Sequence, residues 1–384
     1  MNKSVFEKPR VVTDASDCLF YHSVDVPGHG TLKGFWDIRG KESEYLGRFN
    51  FAGKRVLEIG PASGHLSFFM EHEGAEVVSV EAMDERVWEL FWRVHQPLPK
   101  ELQELLTGGS KTLDEIKNSY WFCHQAFSSQ NQVHYGNAYS LPPDLGKFDV
   151  AVMACMLLHN KSPLQILENC ARLTSEAIII VEPIRKLQFS QSSLEFVPTG
   201  EELSWDTWWG FSPRFFVDVL RSLGFVHSTV TRHSQICFDK PQDMFTIVAR
   251  RKEAEEPIGP TPQVSISSPV ERLRLSVGEH LNLPIYIRNL GEHSISSFTN
   301  APILVSYHWK QESGEVAVWN GLRTSLPYPL EKDDVEELLV AVQAPDEPGN
   351  YFLELTLLRE NVEWYDGSIP GVPVKIETVV TEDT

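Results

Sequence analysis

Between Val56 and Glu81 the chain reads V-L-E-I-G-P-A-S-G-H-L-S-F-F-M-E-H-E-G-A-E-V-V-S-V-E, and that order of residue types leaves few folds open. Val56 to Ile59 is a short apolar run, long enough for a buried parallel strand. Gly60 and Gly64 bracket a tight turn at which a ligand can approach bare backbone. From Ser63 onward Leu66, Phe69 and Met70 recur at helical spacing, and Gly74 stops the helix. Val77, Val78 and Val80 then make a second strand that ends on the carboxylate of Glu81. An acidic side chain about 20 residues after the glycines, at the C-terminal edge of a strand, stands where ribose hydroxyls are gripped.

Two cofactors fit such a unit. A dinucleotide wants G-x-G-x-x-G, so that backbone amides and a helix N-terminus meet a pyrophosphate. This chain instead has G-x-x-x-G, with Pro61 inside the turn and Ala62 in place of a middle glycine. Glu58 precedes the turn, and a carboxylate there repels phosphate but suits an ammonium group. The balance favours S-adenosylmethionine, which has an amino-acid end, a sulfonium and one adenosine, and no phosphate. An α/β unit with a glycine turn and no ligand would read the same way.

At 384 residues the chain has material for two or three domains. No apolar run approaches the length of a membrane span, and the N-terminus lacks a leader-like apolar segment. Five scattered cysteines (Cys18, Cys123, Cys155, Cys170 and Cys237) lack metal-ligand spacing and predict reduced thiols in a cytoplasmic protein. The formal charge is −19, and from Ile258 to Thr384 there are 8 Lys and Arg against 19 Asp and Glu. Neither half has a basic stripe, so nucleic acid is disfavoured as a substrate.

Residues 1–50 read as a lead-in that caps the first sheet edge. Within them Trp36, Asp37 and Arg39 are candidates to close one wall of the site, or else a tryptophan in a hydrophobic seam beside an ion pair. Helices are predicted over residues 84–95, 100–106 and 113–127. Val133 to Tyr135 is a strand, and Asn137 in the loop at its end has the donor and acceptor that an adenine edge needs. Phe148 to Met153 is a buried strand whose following turn reaches His159; helix Pro163–Leu173 and strand Ala177–Val181 end at Glu182. The segment S-W-D-T-W-W-G is a tryptophan cluster, read as an acceptor platform, a lid seam or a packed loop. Ser212-Pro213 opens a helix that Gly224 closes. Val226–Arg232 and Phe245–Arg250 follow with no helix between them, so they should pair as an antiparallel hairpin.

Residues 51–252 thus predict an α/β fold, a doubly wound, seven-stranded Rossmann-like sheet. Residues 253–263 are charged and proline-rich and read as a linker. Residues 264–384 show short alternating strands separated by turn signals, which predicts a separate all-β sandwich of immunoglobulin type without a disulfide.

With the glycine turn, the acid at Glu81, the G-N-A loop and the F-D-V…L-L-H stretch in order, residues 20–250 resemble the class I S-adenosylmethionine-dependent methyltransferases. The resemblance implies that Glu58, Gly60 and Gly64 hold the methionine end, Glu81 the ribose, and Asn137 with Ala138 the adenine. Trp36, Ala62, Ala82 and Ala154 complete the implied cofactor-binding set, with S-adenosylhomocysteine as product. Ala62 departs from the family's second glycine, and Asn137 from its commoner Asp. The W-D-I-R segment also looks like bacterial enzymes that modify wobble uridine in transfer RNA. Those carry a Tyr where this chain has Leu158, which with the acidic surface lowers that reading. The C-terminal part, with P-G-N-Y-F-L-E-L-T-L-L-R-E-N-V-E-W-Y, looks like β-sandwich modules of bacterial polysaccharide-associated proteins. That implies a glycan or small-molecule acceptor, or equally an interaction module.

Methyl transfer to a hydroxyl needs a proton removed, and His159, just past a strand's C-terminal edge, is the candidate base. Ordering of the loop is its alternative role. Glu182 is the second candidate, and no metal constellation or activated Ser or Cys is visible. Two other classes stay open. One is a binding or scaffold protein with a degenerate methyltransferase domain. The other is a nicotinamide oxidoreductase, which the missing G-x-G-x-x-G argues against.

Overall fold

A computed structural model describes residues 4–84, 109–185, 192–198, 207–252 and 258–382. The helices expected over 84–95 and 100–106 lie outside the described residues but for Asp84, as do Trp205 and residues 253–257 of the expected linker. The chain divides into two compact units, one of Met1–Leu187 with Ser193–Ala254, the other of Gln188–Ser192 with Glu255–Thr384.

The first unit is built on one mixed sheet. Its strands are β1 (Trp36–Asp37), β2 (Arg55–Ile59), β3 (Glu76–Ala82), β4 (Gln132–Gly136), β5 (Phe148–Ala154), β6 (Thr174–Pro183), β7 (His227–Cys237) and β8 (Lys240–Arg250), in spatial order β1-β7-β8-β6-β5-β2-β3-β4. The five strands from β6 to β4 are parallel to one another, and β8, β7 and β1 add antiparallel edges. Chain order reverses between β2 and β5, which opens a crevice at their C-terminal ends.

The apolar runs of the central strands are what a sheet covered on both faces requires. Ile178, Ile179, Ile180 and Val181 have no exposed surface, and successive side chains serve opposite faces. Val56, Val150, Val152 and Ile179 pack with Leu66 and Met70 of helix α1 (His65–His72) and with Tyr45, Leu46 and Phe51. The described residues of the unit also hold helices α2 (Gly109–Ala126), α3 (Pro163–Leu173) and α4 (Pro213–Ser222) and a single helical turn at Glu42–Tyr45. On the face opposite α1, Phe216 of α4 meets Phe245, ring centroids 6.3 Å apart. Burying side chains of this size contributes ~1.5–3 kcal/mol each. Ser212 caps α4 by accepting from the Phe215 amide at 3.2 Å, and Gly224 at φ +87° ends it, as its sequence signals require.

The sheet differs from the seven strands expected. Trp36–Asp37 forms an eighth, because β7 and β8 run on for several residues past the predicted hairpin to a two-residue turn at Phe238 and Asp239, both at positive φ. The extension lets Cys237 and Ile236 pair with Trp36 and Asp37. A two-residue strand shows no period, so nothing in its sequence marks it. Elsewhere in the N-terminal segment, Val12, Phe20, Val24 and Val26 pack with Phe68 of α1 and with Tyr120, Trp121 and Phe122 of α2.

Among the described residues the second unit has ten strands: β9 (Val264–Ser267), β10 (Arg272–Ser276), β11 (His280–Asn289), β12 (Ile303–Gln311), β13 (Val316–Val318), β14 (Thr324–Ser325), β15 (Val335–Gln343), β16 (Gly349–Arg359), β17 (Glu363–Trp364) and β18 (Val374–Thr381). They form a three-stranded sheet, β9-β11-β15, and a seven-stranded sheet whose main path is β10-β18-β16-β12-β13. The two sheets share one hydrophobic cluster, Leu283, Ile285 and Val340 from one with Tyr307, Trp309 and Leu355 from the other. The Trp309 indole donates to the Gln343 carbonyl at 2.8 Å, and the Gln343 amide donates to the Tyr307 hydroxyl at 2.9 Å. All five cysteines of the chain are free. Among the described residues no helix is long and apolar enough to cross a membrane.

Candidate active site

The glycine turn follows β2 at the mouth of the crevice. Gly60, at φ +75°, donates its amide to the Val80 carbonyl at 2.9 Å, which fastens the start of the turn to β3. A Cβ on Gly60 would meet only Met156, at an ordinary 3.4 Å. Ala62 also has positive φ, +49°, a conformation in which glycine is commoner. Gly64 is a glycine for a different reason than ligand access. A Cβ there would lie 2.6 Å from the Phe68 ring and 2.7 Å from the Tyr120 ring, so aromatic packing behind the turn demands its absence.

Glu81, at the end of β3, faces this turn. Its Oε2 accepts from the Ala62 amide at 3.2 Å, and its Oε1 accepts from the Ala82 amide at 2.7 Å. A carboxylate has about four acceptor positions, so two are left for a vicinal diol, and a ribose fits this donor–acceptor count. Burial raises the pKa of Glu81; the two amides and the Lys117 ammonium oppose that shift.

Glu58 is almost fully buried, and its Oε2 accepts from the hydroxyls of Ser67 and Ser79, the latter at 2.9 Å. Burial pushes its pKa up to about 7 against the pull of those hydroxyls. Its carboxyl therefore anchors α1 to β3, and at least one of its oxygens is committed to protein.

Asn137 and Ala138 lie in the loop after β4. Asn137 Oδ1 accepts from the Tyr139 amide at 2.8 Å, so the side chain builds its own turn. Asn169 of α3 donates to the Ala138 and Tyr139 carbonyls at 3.2 and 2.7 Å and fastens the loop from outside. Ala154 ends β5, and Cys155 after it has φ +49°. Trp36 lies on the other half of the sheet from Glu81 and Asn137, packed half-buried against the core cluster that reaches Ala154 and Cys155. Asp37 and Arg39 are an ion pair, at 2.7 Å, as the plainer reading expects.

His159 ends a short 3-10 turn, Leu157–His159, and is half-buried. Glu182 Oε1 accepts the Leu157 amide at 3.1 Å, the Trp208 amide donates to the Leu158 carbonyl at 2.8 Å, and the Trp209 indole donates to the Asn160 carbonyl at 3.1 Å. Trp208 and Trp209 thus form a seam that fixes the His159 turn. Glu182 has no exposed surface, its Oε2 has no hydrogen-bond partner among the described residues, and burial raises its pKa well above the carboxylate range. It is a backbone anchor rather than an ionised base.

Two participants escaped the sequence reading. Lys117 is only 4% exposed, and its Nζ donates to the Met83 carbonyl at 2.9 Å just beyond Glu81. It shares a helix face with Leu113 and Tyr120 at i, i+4 and i+7, and a charge inside an apolar stripe was the available signal. Tyr45 places its hydroxyl 3.5 Å from Cys155 Sγ, a contact between distant segments that leaves no mark in sequence. Among the described residues no group of His, Cys, Asp and Glu is placed to hold a metal ion.

Residues 38–225 match the family model of the methyltransferase domain, a little under half of the chain. These residues carry a methyltransferase domain. Among solved structures, the methyltransferase domain is similar to the N-terminal domain of EvdMO1 with SAH bound, at 18% identity over 56% of this chain and 82% of that one, with a TM-score of 0.37. It is also similar to magnesium protoporphyrin IX methyltransferase from Synechocystis PCC 6803 with bound SAH, at 13% identity over 54% and 79%, TM-score 0.34. A third is 1,6-didemethyltoxoflavin-N1-methyltransferase from Burkholderia thailandensis, at 14% identity over 56% and 78%, TM-score 0.36. No curated protein sequence matches the chain.

Proposed function

We propose that the methyltransferase domain transfers a methyl group from S-adenosylmethionine to a hydroxyl of a small acceptor, a sugar unit or glycolipid. The observation that carries the reading is the pairing of Glu81 with the Ala62 amide. It sets a diol-accepting carboxylate beside a turn with open backbone, at the point where strand order reverses. S-adenosylmethionine is the cofactor, and when bound it supplies an electrophilic methyl on a sulfonium. Gly60 and Ala62 present backbone to it, Glu81 accepts from its ribose, and the loop at Asn137 and Ala138 borders its adenine.

On the acceptor side, His159 takes the hydroxyl proton, and Glu182 with Trp208 and Trp209 holds its turn in place. A fixed turn favours in-line attack by removing the need to orient the base during reaction. The excess of acidic residues over the whole chain, 53 against 34 basic, supports a small acceptor over a nucleic acid. The second unit, read as an immunoglobulin-like sandwich, serves as a glycan-facing or interaction module. Five free cysteines fit a reducing compartment, and the cytoplasm is the location we propose.

The test is a methyl-transfer assay with labelled S-adenosylmethionine against sugar nucleotides, glycolipids and transfer RNA. Label in a sugar or lipid fraction is the expected result. Label only in transfer RNA would overturn the acceptor assignment, and cofactor binding without any transfer would favour a binding protein.

A further inference from the structure

A buried lysine behind the ribose-binding carboxylate is unusual enough to ask what it does. Lysine is almost never buried without a partner, since the ammonium loses its hydration. Lys117 is 4% exposed, and α2 delivers it on the same face as Leu113 and Tyr120, which are 2% and 3% exposed. Its Nζ lies 2.9 Å from the Met83 carbonyl and 4.2 Å from the centre of the Tyr135 ring. In the β3–β4 ladder Tyr135 is the register partner of Glu81, so the ammonium stands over the residue next to that carboxylate. The Tyr135 ring is itself held, its hydroxyl accepting from the Trp121 indole at 2.7 Å. Arg10 reaches the same ring at 5.6 Å, but its guanidinium is tied to Asp114 at 3.3 Å and Asn118 at 3.2 Å.

We propose that Lys117 is a positioning residue of the cofactor site, whose ammonium, seated on Met83 and Tyr135, holds Glu81 as the anion that accepts the ribose hydroxyls. The proposal rests on the cofactor reading given above. The charges around the pair are Glu58 from β2, Arg10 and Glu7 from the N-terminal segment, Asp84 after β3, and Asp114 from α2. Burial of the site opposes a charge on Glu81 and Lys117 favours it, while the charge on Glu81 in turn keeps the proton on Glu58. Without Lys117 the proton stays on Glu81 to higher pH, and a protonated carboxyl accepts from the diol less well.

The experiment is calorimetric titration of the full chain with S-adenosylhomocysteine from about pH 5.5 to about pH 8, a range lying above the ordinary carboxylate pKa. Lys117→Met should lower affinity by about tenfold at the acid end, with the deficit shrinking as pH rises. Lys117→Arg, which keeps the charge, should restore most of the wild-type profile. A Lys117→Met loss that is constant with pH, or no loss at all, would overturn the proposal. Should Lys117→Met fail to fold, Glu81→Gln decides the matter. Its affinity should be lower than wild type and its acid-range slope smaller, Glu58 being the group that still titrates there, and an acid-range slope equal to wild type would overturn the proposal. A wild-type chain that binds no S-adenosylhomocysteine would instead overturn the cofactor reading itself.

Discussion

The Ala62 amide donates to the Glu81 carboxylate across 3.2 Å, tying the middle of the glycine turn to the tip of the neighbouring strand. The turn on one side of this bond contains two glycines that serve different ends. Gly64→Ala forces a methyl into the Phe68 and Tyr120 rings at a positive φ, and should cost about 1–3 kcal/mol of stability from overpacking, with strain added. Gly60→Val meets only Met156 at its Cβ but takes on the strain of a β-branched residue at φ +75°, about 1–3 kcal/mol, so it should cost less stability than Gly64→Ala, and it should abolish S-adenosylhomocysteine binding by filling the space that the cofactor needs. Thermal melts beside calorimetry separate the two. Equal loss of stability in both variants would contradict the distinction.

Glu58 makes stability fall as pH rises. Its folded pKa is raised to about 7 by burial, against an ordinary value of about 4.3 when unfolded. A raised pKa means its stabilising effect is full below the unfolded value and is lost as pH climbs through the folded one. Stability should therefore decline between about pH 4.5 and about pH 7, by on the order of 2–3 kcal/mol from this group. Glu58→Gln should flatten that part of the curve in melts taken across the range. His22, lowered to about 3 by burial and by His65, acts oppositely, losing stability as pH falls below about 6.5, so the variant difference isolates Glu58.

Much of the first unit was legible because buried parallel strands announce themselves. Runs such as Ile178–Val181 have no other use in a chain of this composition, and Ser212-Pro213 and Gly224 mark a helix by cap chemistry. Glu81 was legible from its spacing to the glycines. What stayed hidden depends on contacts between distant segments. Trp36–Asp37 is a strand only because β7 runs out to meet it, and Gly64 reads as a ligand contact until Phe68 and Tyr120 are seen behind it. The second unit showed its longer strands by alternation, while Thr324–Ser325 and Glu363–Trp364 are too short to carry a pattern.

His159 separates two accounts of the acceptor side. If it removes the acceptor proton, His159→Ala should lower turnover by roughly 10²–10⁴-fold while S-adenosylhomocysteine affinity stays near wild type. If its role is to order the turn that Glu182 and Trp208 already hold, affinity and turnover should fall together. Single-turnover rates measured beside calorimetry on the same preparation distinguish these outcomes.

A chain ending at Lys252 should remain folded and bind S-adenosylhomocysteine as the full chain does. Each unit has its own hydrophobic cluster, Val56 with Leu66 and Ile179 in the first, Ile285 with Trp309 and Leu355 in the second. Insolubility of the shortened chain, or loss of binding, would show that the second unit is required by the first.

The crevice at Ala62 and Glu81 is proposed to take S-adenosylmethionine. The most direct measurement is a calorimetric titration of the purified full chain with S-adenosylhomocysteine, repeated on Glu81→Ala and run beside a titration with NADH. Micromolar binding of S-adenosylhomocysteine is expected, weakened by roughly 1–3 kcal/mol in Glu81→Ala, with no binding of NADH. Binding of NADH alone, or S-adenosylhomocysteine affinity unchanged by Glu81→Ala, would contradict the claim.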